Sequence, residues 1–182
     1  YFQHSASNYA KTHLYDDPFL GTMSANLETD GASIMAEYAS RLHELAAKSK
    51  NYSILYKTQA CLCDVLSEKL LLAKKTRSLY HSGDKAALRA LAENDYTECI
   101  KLIDIFYYTF RKQWYAINKT YGFEIQDARL GGLARRLESC RERLISYANG
   151  DITEIAELCE DILPMDDTYI TSWAEMISAN NI

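Results

Sequence analysis

The sequence has few of the residues that interrupt helices. Only seven glycines and two prolines occur among 182 residues, and tight turns depend on these two residue types more than on most others. Alanine, leucine, glutamate, lysine and arginine are abundant instead, and all five favour helices. The composition therefore predicts an all-α fold, and the length suffices for one domain with a buried core.

The sequence also lacks the features that would indicate a membrane or a nucleic acid as partner. No run of ~18 apolar residues is present, so no segment is expected to span a membrane, and no signal-peptide pattern is found. The formal net charge is −5, whereas a nucleic-acid-binding surface is normally basic. We therefore expect neither a membrane partner nor a nucleic-acid partner.

The cysteines and histidines show no pattern typical of a disulfide framework or a metal site. The cysteine number is odd and the residues are scattered, which predicts reduced thiols in a reducing, cytoplasmic compartment. The histidines share no metal-ligand spacing, and no G-x-S-x-G motif occurs. We therefore predict no metal, no cofactor and no catalytic residue. The cysteines are Cys61, Cys63, Cys99, Cys140 and Cys159.

Apolar residues recur at intervals of three and four, which is typical of amphipathic helices. A first helix is predicted from Gly31 with Asp30 as its N-cap, and a long second helix ends at Gly83. Asp84 then begins a short helical piece around Leu88 and Leu91. The stripe of the first helix comprises Ile34, Tyr38, Leu42 and Leu45. That of the second comprises Leu55, Gln59, Leu62, Leu66, Ala73 and Leu79 or Tyr80. A basic cluster in the second helix, Lys74, Lys75 and Arg77, is interpreted as a solvated helix end.

The strongest periodicity predicts a central third helix that stops near Gly122 and an antiparallel fourth helix that ends at Gly150. A fifth helix is predicted from the capping-box-like pair Asp151 and Glu154, through the apolar residues Ile155, Leu158 and Ile162, to Pro164. The third stripe comprises Tyr96, Cys99, Ile103, Phe106, Phe110, Trp114 and Ile117. The fourth comprises Leu130, Leu133, Leu137, Cys140, Leu144 and Tyr147. The predicted architecture is an antiparallel bundle of about five to six helices.

The chain is predicted to divide into four parts. Residues 1–7 are interpreted as a tag or linker remnant, because Tyr1-Phe2-Gln3 is typical of an engineered protease site. Residues 8–29 are predicted to be an ordered connector from a missing upstream domain, since "LYDDPFLG" holds a proline and no helical period. Residues 30–165 are predicted to form the bundle. Residues 166–182 are expected to be an amphipathic segment, around Trp173, that packs on the bundle.

One stretch, "GFEIQDARLGGLARRLES", departs from the regular pattern. With Asp127 as N-cap, Gly131 and Gly132 would fall in the first turns of the fourth helix, where each costs on the order of 1 kcal/mol relative to alanine. Two explanations remain open. An anionic ligand approaches the bare amides, or another element packs closely against the glycines. Close packing is favoured, because Asp127 would occupy the anion position and no phosphate-binding motif is present.

The stretch "FRKQWYAINKTYGFEIQDARLGGLARRLESCRERLISYANGDITEIAEL", together with "LYDDPFLG", resembles the C-terminal helical region of glycoside hydrolase family 20 enzymes. These are exo-β-N-acetylhexosaminidases, and the resemblance is to a bacterial subgroup with a long helical C-terminal domain. It implies that "LYDDPFLG" leaves a catalytic (β/α)8 barrel. It also implies a packing surface toward the barrel or a second subunit. The residues placed on that surface are Trp114, Asn118, Lys119, Gly122, Glu124, Asp127, Arg129, Gly131 and Gly132, with Glu124 as one partner for Arg129.

In this family an adjacent Asp-Glu pair on the barrel supplies the general acid and orients the substrate's acetamido nucleophile. No Asp-Glu dipeptide occurs in the chain, and Glu160-Asp161 has the reverse order. The resemblance therefore implies a non-catalytic accessory domain whose partner is a missing upstream barrel of the same chain, with a homodimer as a further option. The alternative hypothesis is a stand-alone helical protein-interaction module.

Overall fold

The computed structural model describes residues 13–21 and 30–162, and within them it is all-α, as predicted. Its helices are α1 Gly31–Lys48, α2 Ser53–Lys69, α3 Leu72–Ser82, α4 Lys85–Leu91, α5 Thr97–Ile117, α6 Glu124–Asn149 and α7 Ala156–Cys159. A π-helical turn, Ala92–Tyr96, joins α4 to α5. Among these described residues, no helix is long and apolar enough to cross a membrane.

The core lies between α5 and α6, which run antiparallel. Tyr107 of α5 contacts Asp127 near the start of α6, whereas Thr97 at the start of α5 contacts Arg141 far along α6. Helix α2 packs on α5, and α1 packs on α2. The predicted stripes supply much of this core, since these stripe residues are buried: Cys99, Ile103, Phe106, Leu130, Leu133, Leu137, Cys140 and Leu144. Burial of these apolar side chains is the main favourable term in folding.

The prediction of one long second helix is wrong. The chain forms α2 and α3 instead, and at Leu71 between them ψ is −3°, outside the helical range. At this junction Lys69 donates to main-chain carbonyls of the N-terminal segment, and Leu72 is buried. Contacts with a distant segment thus accompany the break, and such contacts leave no mark on local periodicity. Gly83 (φ 72°) and the Asp84 cap, which accepts from the Ala87 N–H, lie where predicted.

The prediction of a fifth helix beginning at Asp151 is also wrong. The Asp151 N–H donates to the carbonyl of Ser146 and so completes the C-terminal cap of α6 beyond Gly150 (φ 85°). The helix α7 is only four residues long. Ile155 and Leu158 are nevertheless fully buried, so the apolar pattern located core residues correctly although it misjudged the backbone.

The apolar stripe predicted for the first helix is largely exposed. Ile34, Tyr38 and Leu45 are 39%, 49% and 45% exposed, whereas Ala39 and Ala46 are buried. The small side chains of Ala39 and Ala46 face α2 and allow the two helices to approach closely. The larger side chains of α1 therefore point away from α2. Asp30 precedes α1 as predicted, but its side chain makes no capping hydrogen bond.

The predicted outer parts of the chain fall largely outside the described residues. Residues 1–7 and 166–182, including the amphipathic piece around Trp173, are not among them. Of the predicted connector, residues 8–29, only residues 13–21 are described. The proposed division of the chain into parts therefore stays a prediction.

Candidate functional site

Residues 14–21, here called the docked segment, are packed into the bundle rather than lying on its surface. Leu14, Tyr15, Asp17 and Phe19 are each at most 5% exposed, and the three apolar ones belong to the main core. The chain makes a helical turn at 13–15, which was not predicted, and residues 16–21 are non-helical. A segment expected to be a connector is therefore an integral part of the domain core.

The residues of "DDPFLG" explain the shape of this segment. The Asp17 carboxylate accepts from the N–H groups of Phe19 (2.9 Å) and Leu20 (3.0 Å), while Pro18 restricts the backbone between them. The Gly21 N–H donates to the Asp17 carbonyl at 2.8 Å. A Cβ on Gly21 would lie 2.3 Å from that carbonyl oxygen, so no larger residue fits without a shift.

A partly buried ion pair joins the docked segment to α6. Arg136 donates through Nε to Asp17 Oδ2 (2.6 Å) and through Nη2 to Oδ1 (3.0 Å), and the Asp17 side chain is 2% exposed. The hydrogen bond to Asp17 raises the pKa of Arg136 above its ordinary value, although burial acts in the opposite direction. Bidentate geometry of this kind makes the pair specific as well as strong.

Two further cations hold the same segment. Lys69, at the end of α2, donates through Nζ to the carbonyls of His13 (3.1 Å) and Asp16, and burial lowers its pKa. The Phe19 ring lies near the guanidinium carbons of both Arg136 (5.4 Å) and Arg143 (5.9 Å), within cation–π range. Main-chain carbonyls and an aromatic ring thus provide favourable contacts for these basic side chains, whose burial without partners would be unfavourable.

Arg77 of α3 joins the docked segment to the C-terminal turn, defined here as residues 155–160. Its guanidinium donates to the carbonyls of Phe19 (2.8 Å), Glu157 (3.1 Å) and Glu160 (2.8 Å). The interpretation of Lys74, Lys75 and Arg77 as a solvated helix end is therefore wrong for Arg77, because carbonyls from two distant segments converge on it. The two lysines are exposed, as predicted, and Lys75 pairs with Asp95, but they lie in the first turn of α3 and not at a helix C-terminus.

The predicted interface residues lie partly at the corner where α5 turns into α6. Trp114 donates through Nε1 to the Lys119 carbonyl (2.9 Å). The Asn118 N–H donates to the Trp114 carbonyl and so caps the C-terminal end of α5. The Glu124 side chain accepts from the Gly122 N–H at 2.6 Å, so it is used within the turn and is not the partner of Arg129. Gly122 has φ 96°, the left-handed region that suits glycine.

This corner carries a cluster of aromatic rings with an exposed outer edge. Phe123 is buried, and its ring centroid lies 5.5–5.9 Å from those of four neighbours, Tyr107, Phe110, Trp114 and Tyr115. The large apolar side chains around it are 47–73% exposed; they are Tyr108, Tyr115, Ile117, Tyr121 and Ile125. We call these five residues the corner patch. Exposed apolar patches on a protein surface are typical of contact sites.

Asp127 does not cap α6, contrary to prediction. The helix begins at Glu124, four residues earlier than predicted, with Phe123 at the N-cap position and its ring packed in the aromatic cluster. Asp127 lies in the first turn and accepts from the Tyr107 hydroxyl at 2.8 Å, and this hydrogen bond raises the pKa of Tyr107. It still lies where a negative charge favours the helix dipole.

Gly131 and Gly132 lie inside α6, as predicted, but no described residue packs on Gly131. A Cβ there would meet nothing within 4 Å, whereas Gly132 is half-buried. Arg129 has a buried Nε without a hydrogen-bond partner among the described residues, and its charge acts on buried Tyr15. Close packing against Gly131 therefore does not come from residues 13–21 or 30–162, and a contact from beyond them stays a prediction.

The comparisons with known proteins agree with the resemblance seen in the sequence. A family profile described as "Glycoside Hydrolase 20C C-terminal domain" matches residues 2–178 of the chain. The chain belongs to this family. A search of curated proteins found no match.

A glycoside hydrolase 20C C-terminal domain belongs, by its description, with a catalytic domain that precedes it in the same chain. The docked segment belongs to the first described residues of this domain. Within the described residues, no group of three His, Cys, Asp or Glu side chains comes together as metal ligands. The basic side chains that contact the docked segment donate instead to main-chain carbonyls and to Asp17. They are Lys69, Arg77 and Arg136. These side chains hold the docked segment in the bundle.

Proposed function

We propose that this domain is the non-catalytic accessory domain of a β-N-acetylhexosaminidase and that it anchors the chain arriving from the catalytic barrel. The observation that carries the proposal is the burial of the docked segment with the Asp17–Arg136 ion pair. A connector that is part of a folded core cannot swing freely. The orientation of the upstream domain is therefore restricted by the position at which its chain enters the bundle.

The parent enzyme, on this proposal, hydrolyses terminal β-GlcNAc or β-GalNAc by a substrate-assisted retaining mechanism. A Glu on the barrel protonates the leaving group while the adjacent Asp orients the acetamido nucleophile. The chain offers no Asp-Glu dipeptide for these roles. Glu160 and Asp161 are exposed on the C-terminal side of α7, and the Glu160 carbonyl is bound by Arg77. The expected contribution of this domain to catalysis is support, not chemistry.

The predicted interface residues are proposed to contact the catalytic barrel or a second subunit. They are Trp114, Asn118, Lys119, Glu124, Asp127, Arg129, Gly131 and Gly132. The support is the exposure of the corner patch, with Tyr121 at 73%, and the open space above Gly131. A helix that carries a glycine with no described neighbour forgoes about 1 kcal/mol relative to alanine, which a contact with another domain would explain.

The experiment compares the full-length parent with this 182-residue chain, side by side, on a chromogenic N-acetylglucosaminide. Turnover by the parent and none by the chain alone is the expected result. Turnover by the chain alone would refute the non-catalytic assignment, and no turnover by the parent would refute the parent's proposed activity. An inactive parent variant lacking the barrel Asp-Glu pair serves as the control for background hydrolysis.

A stand-alone interaction module is the second candidate, and the exposed corner patch is the observation that favours it. The two functions differ in what lies upstream in the gene. An upstream barrel with an Asp-Glu pair supports the accessory domain. An open reading frame without such a barrel supports the module.

A further inference from the structure

The docked segment and the C-terminal turn share their anchoring side chains. Arg77 donates to Phe19 of the first and to Glu157 and Glu160 of the second. The two segments are more than a hundred residues apart in sequence, yet they meet at one guanidinium group. A single Arg can do this because its five N–H donors form a planar fork.

A second path connects the same two segments. Glu157 of the C-terminal turn forms an ion pair with Arg143 of α6, and the Arg143 guanidinium carbon lies 5.9 Å from the Phe19 ring centroid. Arg136, which binds Asp17, lies on the same ring at 5.4 Å. Phe19 is 1% exposed, and its ring lies beside both guanidinium groups. Loss of Glu157 would free Arg143 to leave Phe19.

The C-terminal turn is itself fixed to the bundle near Arg77. The Tyr80 hydroxyl accepts from the Ile155 N–H at 3.0 Å, and Leu158 is fully buried. Arg77 and Tyr80 lie three residues apart on α3, hence on one face of the helix. One face of α3 therefore contacts both the docked segment and the C-terminal turn.

We propose that the docked segment and the C-terminal turn form a two-part latch, in which each segment is held in place by the other through Arg77 and through Glu157–Arg143. The inference goes beyond the proposed function, because it makes anchoring of the upstream chain depend on residues 155–160 at the other end of the domain. Loosening either part loosens both. By linkage, the effect must be reciprocal and of equal size in the two directions.

The test is hydrogen exchange on the 182-residue chain, with no substrate involved. Glu157→Gln removes the ion pair on the C-terminal side, and exchange is read at Gly21, whose N–H is bound within the docked segment. Phe19→Leu perturbs the docked segment, and exchange is read at Ile155 and Leu158. Each substitution is expected to speed exchange in the other segment by roughly tenfold, a factor typical of coupled sites.

Two controls separate coupling from general loss of stability. Exchange at Ile103, in the core of α5, reports global unfolding, and the acceleration at Gly21, Ile155 and Leu158 should exceed any change there. Glu138→Gln breaks an ion pair with Arg135 elsewhere on α6 and should leave both segments unchanged. If each substitution alters only its own segment, the latch is refuted, whatever the activity of the parent enzyme.

Arg77→Lys gives an independent arm that should not prevent folding. An ammonium group keeps the charge but lacks the planar fork, so it cannot hold three separated carbonyls at once. Gly21 and Leu158 are expected to lose protection together. Loss at one of them alone would also overturn the latch.

Discussion

Arg136 and Asp17 form a bidentate ion pair across 119 positions of sequence, with Nε and Nη2 of the guanidinium matched to the two carboxylate oxygens. The pair joins the segment that precedes the bundle to its longest helix, α6. Because Asp17 also accepts two main-chain N–H groups, the carboxylate organises its own turn while it is held by the helix. Local conformation and tertiary docking therefore depend on the same side chain.

Removing one member of this pair should be strongly destabilising. Arg136→Met removes the bidentate donor from the Asp17 carboxylate, whose side chain is 2% exposed, and breaking a buried pair in this way costs about 3–5 kcal/mol. Urea unfolding of the 182-residue chain, followed by circular dichroism, measures the change. Arg135→Met is the matched control, because Arg135 is 71% exposed and pairs only with Glu138 among the described residues. Its effect should stay below about 1 kcal/mol; equal effects for both variants would contradict the structural role of the pair.

The two glycines at 21 and 131 should respond oppositely to alanine. Gly21→Ala places a Cβ 2.3 Å from the Asp17 carbonyl oxygen and should destabilise the chain. Gly131→Ala places one in open space within a helix and should stabilise the isolated chain by up to about 1 kcal/mol. Thermal unfolding of the two variants against the unmodified chain decides this.

The same Gly131→Ala variant tests the proposed interface when it is made in the full-length parent. If another domain packs on Gly131, the methyl group should lower the stability of the parent although it raises that of the isolated chain. Scanning calorimetry of both forms gives the two signs. A stabilising effect of equal size in both would remove Gly131 from the interface.

The periodicity of the sequence located the α5–α6 core because burial there follows the helical repeat. Leu130, Leu137 and Leu144 recur at seven-residue intervals and are all buried. Asp17 and Arg136 were not paired from sequence, since a contact across so many residues leaves no local pattern. Arg77 was misjudged for a related reason: a basic residue near a helix end is usually solvated, and only the fold brings carbonyls to it.

Interface residues were predicted by resemblance, and the structure locates them without testing their role. Trp114, Lys119 and Glu124 come together at the corner through hydrogen bonds to the backbone. Asp127 was expected to cap the helix because aspartate is a preferred N-cap residue. Phe123 is packed in the aromatic cluster, and the helix begins directly after it. A tertiary contact of this kind overrides the local preference of aspartate for the N-cap position.

The Glu157–Arg143 pair should make stability depend on pH in the acid range. The hydrogen bond from Arg143 is the main cause that lowers the pKa of Glu157 in the folded chain. The unfolded state therefore binds a proton more readily, and the stabilisation is present above the unfolded pKa of roughly 4.3 and is lost as the pH falls through the lower folded pKa. Urea unfolding from pH 7 to pH 3 should show the difference between the unmodified chain and Glu157→Gln shrinking below about pH 4.3. A difference that is constant with pH would contradict the pairing.

The most direct test of the anchoring role is the thermal inactivation half-life of the full-length parent, measured by residual hydrolysis of an N-acetylglucosaminide, in Arg136→Met and Arg135→Met variants. We expect both variants to retain turnover at low temperature, since the role proposed for the domain is non-catalytic, and Arg136→Met alone to lose activity much faster on heating. Equal half-lives for Arg136→Met, Arg135→Met and the unmodified parent would contradict the anchoring role.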